Sequence, residues 1–236
     1  EQTEAVHVRR ELAKRLASPV LRVALSEVEA AQSFAYDSRI QSVFGFALFF
    51  SIYTVAFSVN GLLHEKRNGL WDRVILSPAS KTSMYAGHML FSYASGLLQV
   101  TIVFALFRYA FHFPLGDSIL MIVFIAAVYI FSIVAFSMLL AGLVRTPQQM
   151  NVLIPIIAVC FAMLGGAYWP IEIVTNPILI VLSKIVPITY GMEALKGIAY
   201  YDYSWQELAE PVAYMFLFGV ICMGIGINLI EQRAKK

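Results

Sequence analysis

A chain of 236 residues with 59% hydrophobic and 14% charged side chains departs from soluble domains, in which roughly 45–50% are apolar and about 25% charged. The excess must face lipid, which argues against a soluble enzyme. The net charge of +2 excludes a basic nucleic-acid-binding domain, so the placement of the cations becomes the informative quantity. The two cysteines, Cys160 and Cys222, sit inside apolar runs and read as buried thiols, because a disulfide framework or a metal site needs more sulfur.

Residues 1–39 are the one extended polar stretch. Val8, Leu12 and Leu16 at spacing four predict an amphipathic helix over 4–17, which Pro19 ends, and residues 20–25 read as a short strand. With no initiator methionine and no signal-peptide pattern at the start, this stretch is expected to be the tail of an extracytoplasmic domain that begins earlier in a longer protein. Five apolar runs follow, at about 40–63, 84–111, 118–144, 149–169 and 211–230. A hydrocarbon core of roughly 30 Å takes about 20 helical residues, so each run can span. Each must be helical, because lipid offers an open backbone no hydrogen-bond partner and the runs lack the polar alternation of a barrel strand. The fold class is therefore all-α, a polytopic transmembrane bundle over residues 40–236.

The cations orient it. Lys66, Arg67, Arg73, Lys81, Arg145, Arg233, Lys235 and Lys236 fall on one side, and Arg108, Lys184 and Lys196 on the other. The positive-inside bias puts the carboxyl terminus in the cytoplasm and the amino-terminal segment outside. Two connections are more than loops. Residues 170–209 contain the apolar stretch 178–185, too short to cross twice, and predict an outer re-entrant helical hairpin bracketed by Tyr168, Trp169, Tyr190 and Trp205. On the opposite side, residues 65–76 place Leu70, Trp71, Val74 and Ile75 on one helical face and Lys66, Arg67, Asp72 and Arg73 on others, which predicts a short amphipathic helix along the inner surface.

Catalytic signatures are absent. There is no phosphate-binding G-x-x-x-x-G-K-[ST], no H-E-x-x-H and no C-x-x-C, and His7, His64, His88 and His112 show no ligand spacing. The chain is thus expected to bind no nucleotide, metal or nucleic acid. An ion-driven carrier places ionisable groups at mid-membrane depth, and no Asp, Glu, Lys or Arg lies deep in a span. Asn60, His88, Gln99 and Asn151 are the strong polar candidates, either for interhelical hydrogen bonds or, for His88 and Gln99, along a cargo path. Small-residue pairs Ser83/Gly87 and Ser92/Gly96, with Gly219, Gly224 and Gly226, suit close helix approach.

Two segments carry more. The run from Glu65 through Gly69, Leu70, Trp71, Asp72, Arg73, Val74, Ile75 and Leu76 to Ser77 and Pro78 resembles the E-x-x-x-G-x-x-[DE]-x-[LV]-x-x-[ST]-P signature of the type 2 family of ABC transporter permeases. Gly165-Gly166-Ala167-Tyr168-Trp169-Pro170 is similar to that family's G-x-x-[FW]-P turn. Val186-Pro187-Ile188-Thr189-Tyr190-Gly191-Met192-Glu193-Ala194-Leu195-Lys196 is similar to its N-P-[LI]-T-Y-x-x-[ED]-x-[LF]-[RK] segment. Val186 stands where Asn is frequent and Trp71 where Thr or Leu is common.

The resemblance covers about residues 40–230 and implies a six-span exporter subunit, of which five spans lie here. It implies that residues 65–76 form a coupling helix seated on a separate ABC ATP-binding subunit, which would hold ATP and magnesium. Leu70, Trp71, Val74 and Ile75 would anchor it, Glu65, Asp72 and Arg73 would pair at its rim, Gly69 would allow a bend, and Ser77-Pro78 would end it. The alternative is a helix that only shields the bilayer edge. The outer segment, with Gly166, Trp169, Pro170, Pro187, Tyr190, Glu193 and Lys196, reads as a gate or as a static plug, with Glu193 and Lys196 able to pair at i and i+3.

The resulting expectation is a permease subunit in a bacterial inner membrane that pairs with a second permease. It would export a drug, antibiotic or lipid along a path lined by residues such as Phe50, Tyr53, Phe57, His88 and Gln99. An ion-coupled transporter and a non-transporting sensor module are the alternatives.

Overall fold

The structure, a computed structural model, describes residues 38–69, 81–113, 115, 118–201 and 203–234. The helix and strand expected before residue 38, and the signature residues Leu70 to Pro78, lie outside the described residues. Among the described residues seven α-helices follow in order: α1 Ser38–Arg67, α2 Lys81–Tyr109, α3 Ile119–Leu143, α4 Pro147–Leu164, α5 Pro177–Ser183, α6 Pro187–Tyr200 and α7 Trp205–Ala234, with a 3-10 turn at Ile171–Ile173 before α5. Among the described residues there is no strand. Five helices, α1, α2, α3, α4 and α7, are long and apolar enough to cross a membrane, while α5 and α6 meet at 85° across a short break. Neither arm of that bent pair, with 7 and 14 residues, covers a hydrocarbon core by itself.

Helix ends depart from the apolar runs, for identifiable reasons. α1 continues through Glu65, Lys66 and Arg67, so these three residues finish the first span instead of opening a separate amphipathic helix. Basic side chains in a last turn suit the negative end of the helix dipole, and the break comes at Gly69, whose φ of 70° favours glycine. α4 stops at Leu164, short of the expected Trp169, because Gly165 and Gly166, the latter at φ 75°, take the chain out of helical geometry. α7 begins at Trp205 and runs through Pro211. Its start is set by Ser204, whose backbone N–H and hydroxyl both donate to Glu207 Oε2 at 2.8 Å, the glutamate half of a capping box.

α3 is the hub. It is apolar on every side, its buried residues include Ile125, Tyr129, Ile133 and Met138, and it touches α1, α2, α6 and α7. α7 packs on it most extensively, because small residues let the backbones meet. A Cβ at Gly226 would stand 2.8 Å from the Leu139 nitrogen, and one at Gly219 would stand 2.6 Å from the Phe131 ring. Ser132 donates to the Met215 carbonyl at 2.6 Å across the same seam. Gly224 meets nothing, so only two of the three α7 glycines serve this packing. Fully buried Tyr129 donates to the Leu48 carbonyl of α1 at 3.2 Å, and Ser58 and Ser92 share a hydrogen bond of 2.8 Å between α1 and α2. Cys222 is buried as expected, but Cys160 is exposed on α4. With Leu90, Leu98 and Leu120 it belongs to the apolar outside that a bilayer covers.

Candidate functional site

Three groups of side chains answer to the sequence candidates, and they occupy different levels of the bundle. At the basic end of α1, Glu65 Oε2 lies 2.7 Å from His88 Nε2 of α2. Arg67 Nη1 donates to Gln148 Oε1 of α4 at 2.5 Å. One level deeper, buried Asn60 donates to Asn151 Oδ1 at 2.6 Å. The last turn of α1 is thereby tied to α2 and α4 immediately before the chain turns at Gly69 into the signature residues. Asn60 and Asn151 form the interhelical bond expected of polar groups in lipid. His88 lies beside Glu65, eleven residues and roughly 16 Å of helix rise from Gln99.

Gln99 lies instead in a groove between α1 and α2 of about 600 Å³, together with Phe50. Ser38, Arg39 and Ser42 give it a polar end, and Phe46, Phe107 and Phe113 continue its apolar walls. Gln99 Oε1 is buried with no hydrogen-bond partner among the described residues, an acceptor whose desolvation is offset only when a donor arrives. Tyr53 and Phe57 do not line this groove. They extend an aromatic ladder along α1, with ring centroids 5.2 Å apart for Phe49 and Tyr53 and 6.1 Å for Tyr53 and Phe57, which Tyr168 joins at 5.4 Å from Phe49. The structure thus brings Phe50 and Gln99 together, sets Tyr53 and Phe57 on the adjoining ladder, and leaves His88 apart.

At the aromatic end, the turn after α4 is clamped to the start of α1. The Gln41 side-chain amide donates to the Gly166 carbonyl, and the Cα of Gly45 faces the Ala167 backbone so closely that a Cβ would stand 2.1 Å from its oxygen. Trp169 lines a cavity of about 320 Å³ with Met163, Ile171 and Leu179. Pro170 precedes the 3-10 turn and Pro187 opens α6, positions where proline's fixed φ and missing N–H cost little. The bend between α5 and α6 is held by Thr189 Oγ1 donating to the Ser183 carbonyl at 2.6 Å and by the Tyr190 hydroxyl donating to the Lys184 carbonyl at 2.8 Å. Tyr190 also stacks on Tyr214 of α7, centroids 4.7 Å apart.

Lys196 Nζ pairs with Glu172 Oε1 at 2.7 Å rather than with Glu193. Glu172 reaches Lys196 from the 3-10 turn, while Glu193 stands at an exposed position of α6 whose surroundings still partly desolvate its carboxyl. Partial burial and the nearby Glu210 carboxylate hold Glu193, which lies outside the five spans, above the usual carboxylate range. Gln41, Glu172, Ser183 and Tyr214 are site residues that no local motif marks. Among the described residues no group of three or more His, Cys, Asp or Glu could hold a metal ion.

Five helices long and apolar enough to cross a membrane, a bent pair packed among them and a tied helix end leading into a short signature define a polytopic helical membrane protein. The family model described as ABC-2 family transporter protein matches residues 21–228, and the chain belongs to that family. It is 22% identical over 187 residues, 79% of this chain and 48% of the relative, to the linearmycin resistance permease protein LnrN of Bacillus subtilis (strain 168). It is 26% identical over 149 residues, 61% of this chain and 40% of the relative, to the probable multidrug ABC transporter permease YbhR of Escherichia coli (strain K12). The chain spans about half the length or less of these curated relatives.

Proposed function

We propose that this chain is the membrane-spanning part of an ATP-driven ABC exporter that moves an amphipathic or hydrophobic cargo out of a bacterial cell. The carrying observation is that α1, a membrane-crossing helix, runs without a break into Glu65 and turns at Gly69, the opening of the family's coupling signature. Work done on the signature residues Leu70 to Pro78 by a partner would then reach α1 directly, and through the Glu65–His88 and Asn60–Asn151 bonds also α2 and α4. Linked helices that move as a unit are the physical requirement for such transmission. The partner is an ABC ATP-binding subunit holding ATP and magnesium, and a second permease completes the path. The carboxyl terminus faces the cytoplasm and the amino-terminal segment the outside, as the cation distribution demands.

The groove of Phe50 and Gln99 supports an amphipathic cargo, since it offers aromatic walls with a single unpaired acceptor. The names of the relatives, linearmycin resistance and multidrug permeases, favour the same class. The bent pair α5–α6 then closes the outer end of the path.

The test is co-purification of the full-length permease from membranes, with and without Trp71→Ala and Asp72→Arg. A phosphate-loop ATPase is expected with the native protein and not with the variants, while membrane insertion stays the same. An ATPase that never accompanies the native protein, or that stays bound to both variants, overturns the coupling assignment.

A further inference from the structure

The turn after α4 is laid along α1 in register. Gln41, Gly45 and Phe49, spaced by four and therefore on one face of α1, meet Gly166, Ala167 and Tyr168 in the same order. The Gln41 amide donates to the Gly166 carbonyl, Gly45 has no room for a Cβ against the Ala167 backbone, and the Tyr168 ring lies 5.4 Å from that of Phe49 and 6.0 Å from that of Phe46. Three consecutive residues are thereby fixed along roughly 12 Å of helix. The same turn is seated on the start of α6, since a Cβ at Gly165 would meet the Ile188 side chain and stand 3.0 Å from the Thr189 nitrogen. Thr189 in turn holds the end of α5 through the Ser183 carbonyl.

We infer that α1 is a lever joining the Gly69 end of the bundle to the bend of α5 and α6, and that Gln41 is the positioning residue through which the lever moves that bend. This role rests on the exporter reading above, which supplies the displacement at Gly69, and it adds the place where that displacement acts. α1 suits a lever because no proline interrupts its 30 residues, whereas Pro155 lies inside α4 and Pro211 inside α7, positions at which helices bend. The three contacts divide the work. Gly45 against the Ala167 backbone fixes how closely the turn approaches α1, and no rotamer change can absorb a push there. Stacked and tilted rings tolerate sliding. The hydrogen bond from Gln41 is directional and weakens steeply when misaligned, so it alone of the three fixes the turn along the axis of α1. An apolar side chain of similar volume at position 41 keeps the packing and loses that register.

The test is pulsed electron–electron distance measurement on the full-length permease in complex with its ATPase, with native cysteines replaced by serine and nitroxides placed in pairs at His64→Cys, Leu120→Cys and Ile173→Cys. All three positions are exposed; His64 reports the Gly69 end of α1, Ile173 the segment that follows the turn, and Leu120 the hub helix α3 as reference. Between the nucleotide-free complex and the complex trapped with ATP and vanadate, the His64–Leu120 and Ile173–Leu120 distances are expected to change by about 2–5 Å, while His64–Ile173 stays within about 1 Å because both ride on one lever. Gln41→Met is expected to keep the His64–Leu120 shift and to abolish most of the Ile173–Leu120 shift, a separation of input from output that a loss of packing alone does not produce. Should Gln41→Met fail to fold, Gln41→Asn, whose amide is one methylene short of the Gly166 carbonyl, carries the same expectation. A complex that hydrolyses ATP with His64 moving and Ile173 still, with neither moving, or with the native Ile173–Leu120 shift preserved in the Gln41 variant overturns this inference and leaves the exporter reading standing. A permease that binds no ATPase overturns both.

Discussion

Gly45→Ala should be the most disruptive single methyl that can be added to α1. The ideal Cβ would sit 2.1 Å from the Ala167 oxygen and 2.8 Å from its carbonyl carbon, both backbone atoms that no rotamer change can move. Restoring an ordinary contact of 3.4 Å from 2.1 Å requires α1 and the turn after α4 to separate by about 1.3 Å, which also stretches the hydrogen bond from Gln41 to Gly166. Overpacking of this kind costs about 1–3 kcal/mol, and a domain of this size loses roughly 2–4 °C of Tm per kcal/mol. The measurement is thermal unfolding of the purified permease in one detergent, with Gly61→Ala as the matched control. Gly61 lies on the same helix with nothing within 4 Å of its Cβ position and should leave Tm unchanged or slightly raised, since alanine is the better helix former. Equal Tm values for the two variants would refute the contact between α1 and the turn.

Asn60→Leu should cost about 0.5–1.5 kcal/mol through its lost bond to Asn151, and a double-mutant cycle with Asn151→Leu should recover most of the coupling; additive losses would deny the bond. A second cycle, Lys196→Met with Glu172→Gln, should show a coupling of about 0.5–1 kcal/mol, larger than the cycle of Lys196→Met with Glu193→Gln, because the close contact is with Glu172. Glu193 should make stability fall as pH rises. A carboxyl held above its unfolded value binds its proton more tightly in the folded state, so its contribution is complete below the unfolded pKa and lost as pH climbs through the folded one. Glu193→Gln should flatten the profile of Tm against pH over that window, and an unchanged slope would contradict the raised value.

Spans were legible in the sequence because lipid imposes one requirement over some twenty residues at a time, and a run such as 118–144 satisfies it nearly residue for residue as Ile119–Leu143. Their ends were less so. Hydropathy stops where polar residues begin, whereas a helix stops where its backbone loses partners, and Glu65 to Arg67 remain helical while Gly165 and Gly166 do not. One overlooked local signal is Ser204-Trp205-Gln206-Glu207, a capping-box sequence that marks the start of α7 ahead of Pro211. Within the candidate site, the motifs located the turn at Gly166 and the bend opened by Pro187. The partners that hold these features are distant in sequence: Gln41 to Gly166, His88 to Glu65, and Glu172 to Lys196 across 24 residues. No periodicity encodes such pairs, because they exist only once α1, α2, α4 and the bent segment are laid side by side.

The early stop of α4 sets a mechanical condition on the surrounding lipid. Its 18 residues rise about 27 Å, less than a hydrocarbon core of about 30 Å, while its neighbour α1, with 30 residues, rises about 45 Å. No uniform bilayer matches both. α1 meets the excess by tilting or by standing proud of the surface, but α4 is tied to it by the Asn60–Asn151 bond and cannot slide to compensate. The membrane has to thin beside α4, or the turn at 165–170 has to sit at the level of the acyl chains. Acyl-chain length therefore acts as a control variable for this protein, with short-chain bilayers relieving the mismatch at the turn and long-chain bilayers drawing Tyr168 and Trp169 into hydrocarbon.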